Sequence, residues 1–95
     1  MLFFVYLLEC ADGSYYVGHA DNLELRLIEH EKGVFAGYTA LRLPVKMVWS
    51  ESFATRDAAL KVEEQLKGWR REKKAALISG GWTAVAALGK KLAGK

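Results

Sequence analysis

Two tyrosines, Tyr6 and Tyr16, sit in neighbouring apolar runs, "FFVYLLEC" and "SYYVG". Arg26 and His30 follow, four residues apart, and Glu63 stands far downstream. A phenol has an ordinary pKa near ~10 and can accept a proton only where positive charge favours its anion. A guanidinium fork matches two phosphate oxygens. An imidazole donates to such an oxygen or relays a proton. A carboxylate on a core-facing helix stripe is costly unless it is paired or binds a metal, and it suits a hard cation such as Mg²⁺. These residue types point to a phosphate group and a divalent ion. Each also has an ordinary reading: cross-strand packing for the tyrosines, a surface arginine, a half-buried imidazole, and a salt bridge from Glu63 to Arg26 or another base.

Whether they meet depends on the elements that carry them. The two runs flank Asp12-Gly13, a strong hairpin signal, so strand, turn, strand is expected. A two-residue turn would put Tyr6 and Tyr16 on opposite faces. A three-residue loop of Ala11-Asp12-Gly13 would put both on one face as diagonal neighbours, roughly 7–8 Å apart. Gly13 permits either. A helix is expected from about Asn22 to Lys32, with Asp21 as N-cap, Glu24 completing a capping box and Gly33 at the C′ position. Leu23, Arg26, Leu27 and His30 then share an arc of about 100°.

"GVFAGYTALRLPV" reads as a loop, and "VKMVWSESF" as a third strand with Val45, Met47 and Trp49 alternating. Thr55 caps a second helix running to about Trp69, with Ala59, Val62, Leu66 and Trp69 as its apolar stripe and Glu63 within that arc. "REKKAALIS" reads as a further helix stopped at Gly80-Gly81, followed by an amphipathic helix with a frayed end. His19 has no spaced partner and reads as a loop histidine. The expected class is α/β (α+β): a small three-stranded, mainly antiparallel sheet flanked by helices.

Ninety-five residues make one domain, and 52% apolar with 26% charged residues is an ordinary globular balance. The single cysteine, Cys10, excludes an intrachain disulfide and fits a reducing compartment. "MLFFVYLL" has no basic n-region and falls far short of the roughly 20 residues of a membrane helix, so a cytoplasmic protein is expected. The net charge of +3 is uneven: residues 67–95 carry eight Lys/Arg against Glu72 alone, a surplus of seven, and residues 1–66 are net negative by four. A basic segment of this kind suggests a polyanion partner. There is no Cys/His metal cluster, phosphate-binding glycine loop or nucleophile elbow in the sequence.

Taken in order, these residues resemble the GIY-YIG nuclease domain. Phe4-Val5-Tyr6 matches its first motif and Tyr16-Val17-Gly18 its second. Arg26 and His30 match its helix arginine and the polar aromatic one turn later, and Glu63 its metal-binding glutamate. "ECADGSYYVG", "NLELRLIEHEKG" and "SFATRDAALKVEEQLKGW" are similar to the short, single-domain bacterial members. Phe4, Val5 and Val17 depart from the motif letters, and no asparagine follows Asn22, although some members carry one near the metal.

The resemblance implies a metal-dependent endonuclease that hydrolyses DNA phosphodiesters, in repair or degradation. Glu63 would hold Mg²⁺ or Mn²⁺, and Tyr6 or Tyr16 would serve as base. Arg26 would clamp a non-bridging oxygen with help from His30, and Lys67, Arg70 and Arg71 would touch flanking phosphates. Residues 1–79 would form the nuclease-like domain, with 80–95 an amphipathic helix packed on it or extending it. No organic cofactor and no membrane partner are expected, and the chain is expected as a monomer or weak homodimer. The alternative is a nucleic-acid-binding module with a degenerate or very weak catalytic site. A third reading makes the last helix a protein-interaction element.

Overall fold

The structure is a computed structural model that describes residues 1–34 and 37–93, with side chains up to residue 89. Phe35 and Ala36 of the expected loop, the side chains of Lys90 and Lys91, and the final residues including Lys95 lie outside the described residues. Three strands, β1 (Phe3–Glu9), β2 (Tyr15–Ala20) and β3 (Lys46–Phe53), form an antiparallel sheet in the order β2-β1-β3. Helices α1 (Leu23–Glu31), α2 (Arg56–Lys67) and α3 (Arg71–Ala93) complete it. Among the described residues, no helix is long and apolar enough to cross a membrane.

The period-2 alternation of β1 builds two apolar layers. Val5 and Leu7 face α2 and α3, packing with Val17, Ala59, Leu66, Leu77 and Val85. Tyr6 and Leu8 face the other way, toward Leu23 and Leu27 of α1. β1 is buried on both faces, and so reads as a continuous apolar run rather than an alternating one.

The expected alternation in β3 is broken. Between Leu7 and Leu8 the register slips, so that Leu7 pairs with Trp49 and Leu8 with Met47. The extra residue is Val48. A bulge of this kind re-aims side chains beyond it. Val45 and Met47 therefore lie in the Tyr6 layer, and Trp49 and Phe53 in the Leu7 layer.

The helix ends differ from expectation by small amounts. Asn22, not Asp21, caps α1: its backbone is extended and its side chain accepts from the Leu25 N–H. Either residue has the right chemistry; Asp21 is one position too early for a helix starting at Leu23. Gly33 is left-handed with φ 70°, as its place after the helix requires. Thr55 caps α2 through the Ala58 N–H. α2 stops at Lys67, and Trp69 joins the same core from outside the helix. α3 bends at Gly81 (φ 69°, ψ −162°), which lets Trp82 pack edge-on against Trp49 and Trp69 while donating to Glu51.

Candidate active site

The hairpin takes the three-residue loop. Cys10 N–H donates to Ser14 O (2.8 Å), Gly13 has φ 84°, and Tyr6 pairs with Gly18 and Leu8 with Tyr16. Both tyrosines therefore share a face, with ring centroids 6.4 Å apart and planes tilted by 41°. Gly18 makes this possible. A Cβ there would lie 2.5 Å from Tyr6 Cζ and 3.1 Å from Tyr16 Cε2. The Tyr6 ring lies across the bare backbone of its cross-strand partner.

α1 brings the next two groups over this face. His30, 2% exposed, is the one buried residue of that helix. Its Nε2 is 2.8 Å from Tyr6 Oη and its Nδ1 is 2.9 Å from Thr39 Oγ1. Burial and the Arg26 charge lower its pKa, so the ring is neutral near pH 7. A neutral imidazole donates at one nitrogen and accepts at the other. The Tyr6–His30–Thr39 chain can therefore run in either of two senses, and a proton leaving Tyr6 has an acceptor already in contact.

Tyr6 is 1% exposed. Its pKa is pushed up to about 12, first by burial and then by Tyr16, against the opposing pull of Arg26. It is a neutral phenol at physiological pH. Arg26 lies one turn before His30; its Nη1 donates to the His19 carbonyl (3.1 Å) and its Nε is 3.4 Å from Glu29 Oε1.

Glu63 approaches from the other side of the sheet, on α2. It is 9% exposed, as a core-facing position demands. The expected alternative, a salt bridge to Arg26 or another base, is met by Lys67, alongside a contact with His19. Oε1 is 3.0 Å from His19 Nδ1 and Oε2 is 3.5 Å from Lys67 Nζ. The carboxylate's charge is the weakest of the influences on the Tyr6 pKa, behind burial, Tyr16 and Arg26.

His19, read from sequence as a loop histidine, is the residue that joins these halves. It belongs to β2. Its side chain reaches Glu63 and its carbonyl accepts from Arg26. A signal for it existed: with Tyr16 and Gly18 on one face, positions 15, 17 and 19 must face α2. Thr39 gave none, since a loop threonine has no periodicity to place it. Thr39→Val removes the Oγ1 partner of buried Nδ1 at nearly constant volume. It is expected to cost about 1–3 kcal/mol, the range for orphaning a buried polar group. Urea denaturation checks this, and an unchanged midpoint would show that the bond contributes nothing.

The basic residues expected at flanking phosphates divide. Lys67 ends at Glu63, with its side chain still more than half exposed. Arg70 and Lys73 border a cavity of about 260 Å³ beside Trp69 and Leu88, beyond the end of α2. Arg71 is engaged elsewhere: its Nη1 donates to Gly13 O, and its guanidinium lies 4.7 Å over the Tyr15 ring. It clasps the hairpin turn to the start of α3.

Residues 2–76 match the family model described as the GIY-YIG catalytic domain. The chain belongs to the GIY-YIG family. That family is generally one of nucleases, and the matched span contains Tyr6, Tyr16, Arg26, His30 and Glu63. Within the GIY-YIG family the chain is similar to short bacterial proteins. A UPF0213 protein of Staphylococcus saprophyticus is 45% identical over 78 residues, 82% of this chain and 95% of that one. A UPF0213 protein of Streptococcus pneumoniae is 41% identical over 76 residues, 80% of this chain and 77% of that one. The solution NMR structure of a UPF0213 protein from Bacillus halodurans superposes with a TM-score of 0.55 at 34% identity, covering 90% of this chain and 94% of that one. That of an E. faecalis protein has the same TM-score at 41% identity, covering 78% and 79%.

Proposed function

We propose that this chain is a divalent-metal-dependent endonuclease that hydrolyses phosphodiester bonds in DNA. The observation that carries this reading is convergence. Tyr6, Tyr16 and His30 meet over one sheet face, and His19 ties the Arg26 guanidinium on that side to the buried Glu63 carboxylate on the other.

The donor set fits a hard, hydrated cation. Among the described residues, no three His, Cys, Asp or Glu side chains come together, so the protein offers one carboxylate rather than a closed cage. Mg²⁺ or Mn²⁺ binds in that way, taking one or two carboxylates and filling its shell with water and substrate phosphate. Each Glu63 oxygen has a second lone pair beyond its contact with His19 or Lys67. When bound, the ion would draw charge from the phosphoryl oxygens and the leaving oxygen.

The chain's own residues do the rest. Arg26 clamps a non-bridging oxygen, where its fixed charge counts most as the phosphorus gains negative charge. Tyr6 takes the proton of the attacking water as its own proton passes to the neutral Nε2 of His30. This relay removes the need for a free phenolate, which a pKa of about 12 makes scarce. Tyr16, 5.2 Å from His30 between ring centroids, orients the water. Lys67 and Arg70 add phosphate contacts along the strand. We place the activity in the cytoplasm, in repair or degradation of DNA; the buried free thiol of Cys10 suits a reducing compartment.

Supercoiled plasmid tests the reading. Purified protein is expected to nick it with Mg²⁺ or Mn²⁺ and to stop when EDTA removes the ion. The second reading, a binding module with a very weak site, draws on the raised Tyr6 pKa and on the His19 and Lys67 side chains already contacting Glu63. It requires salt-sensitive binding without turnover at any divalent ion. Nicking that persists in EDTA would refute the metal-dependent mechanism.

A further inference from the structure

Tyr38, Thr39 and Arg42, from the segment between α1 and β3, are held by contacts beside Tyr16 and His30. Tyr38 lies against Tyr16, with ring centroids 6.3 Å apart and planes within 30°, yet it remains 40% exposed. The Arg42 guanidinium sits 3.8 Å above the Tyr38 ring. Its Nε donates to Asp12 Oδ2 and its Nη1 to the Tyr38 carbonyl, both at 3.0 Å. Asp12 is itself held by the Ser14 N–H and hydroxyl, and the Ala11 N–H donates to the Arg42 carbonyl. The guanidinium is thus fixed in plane and position, one ring beyond Tyr16.

Arginine has five N–H donors, and these bonds engage two. The side chain is about one-third exposed. A planar fork already immobilised loses little entropy when it takes a phosphate.

We infer that Arg42, presented by Tyr38, binds the DNA phosphate next to the one being cut, and that the exposed Tyr38 ring packs against the adjoining sugar or base. The inference rests on the reading of the cleft as a nuclease site. It assigns the loop carrying Tyr38 and Arg42, and not only the basic segment after α2, to the path of the strand.

The competing possibility is that Arg42 only ties the loop to the hairpin. Charge and tethering can be separated. Arg42→Gln removes the charge but keeps a polar amide; Asp12→Asn weakens the tether but leaves the charge. Binding of a fluorescein-labelled duplex is read by anisotropy in EDTA, from roughly 50 to 200 mM salt, where each neutralised phosphate contributes about 0.9 to the slope of log K against log salt. Arg42→Gln is expected to bind more weakly and to lose about 0.9 of slope, whereas Asp12→Asn keeps the wild-type slope.

An unchanged slope in Arg42→Gln, or the same slope loss in Asp12→Asn, overturns the inference. If wild type nicks plasmid with Mg²⁺ and Arg42→Gln keeps the slope, the nuclease reading stands and this one falls. If wild type neither binds nor nicks, both fall.

Discussion

Glu63→Gln is expected to lower Mg²⁺-dependent nicking by about 10²–10⁴-fold while the chain stays folded. The size follows from the several kcal/mol that a metal ion contributes to transition-state charge, at about 1.4 kcal/mol per factor of ten. Glutamine keeps the length and planar end of the side chain, so it can still accept from Lys67 and meet His19. It loses the formal charge that a hard cation requires. Alanine would be a poorer choice, because Glu63 is 9% exposed and its removal leaves a hole beside His19. The measurement pairs the nicking rate across a Mg²⁺ titration with a thermal melt. A wild-type rate in a folded Gln variant would mean that the carboxylate has no part in the chemistry. A fall in rate with a collapsed melt would instead mark Glu63 as architectural.

Gly18→Ala is the second large effect, and it acts through space rather than charge. The backbone at Gly18 is not in the left-handed region, so the cost of a side chain there is not conformational. It is a collision. The new methyl would overlap the Tyr6 phenol at Oη and Cζ and press on Tyr16. Tyr6 cannot yield easily: it is 1% exposed, bonded to His30 and packed among Leu8, Cys10, Ala20 and Val45. Overpacking a closed core costs typically about 1–3 kcal/mol. A displacement of about 1 Å at a reacting group costs on the order of 10² in rate. Urea denaturation with nicking on the same preparation should show both losses together. A variant with wild-type stability and rate would show that the phenol has room to move and that its position is not critical.

The elements were legible because their signals are local. Asp12-Gly13, Thr55, Gly33 and the stripe through Ala59, Val62 and Leu66 each announce a turn, cap or buried face within a few residues. The two-versus-three-residue loop was not legible, since Gly13 satisfies both; the choice lies in the pairing of Tyr6 with Gly18 rather than in the turn residues. The bulge at Val48 was invisible for a similar reason. Met47, Val48 and Trp49 are three apolar residues in a row, so no polar residue marks where the faces exchange. At the site, residue type singled out Tyr6, Tyr16, Arg26, His30 and Glu63 as candidates. His19 and Thr39 escaped because their importance lies in what they touch, at separations of 44 and 9 residues. The contact of Arg71 with the turn at Gly13, 58 residues away, was hidden for the same reason.

The order of elements has a consequence for a growing chain. The phenols, the guanidinium and the imidazole all come from β1, β2 and α1, which are complete by residue 31; the carboxylate arrives with α2, after β3 has added to the far edge of the sheet. Pairing between β1 and β3 spans some forty residues and forms late relative to the hairpin. On the proposed chemistry, a nascent or truncated polypeptide that stops before α2 would carry the phenols and the imidazole but neither the carboxylate nor the basic segment behind it. Such a fragment could neither hold a strand firmly nor sever it.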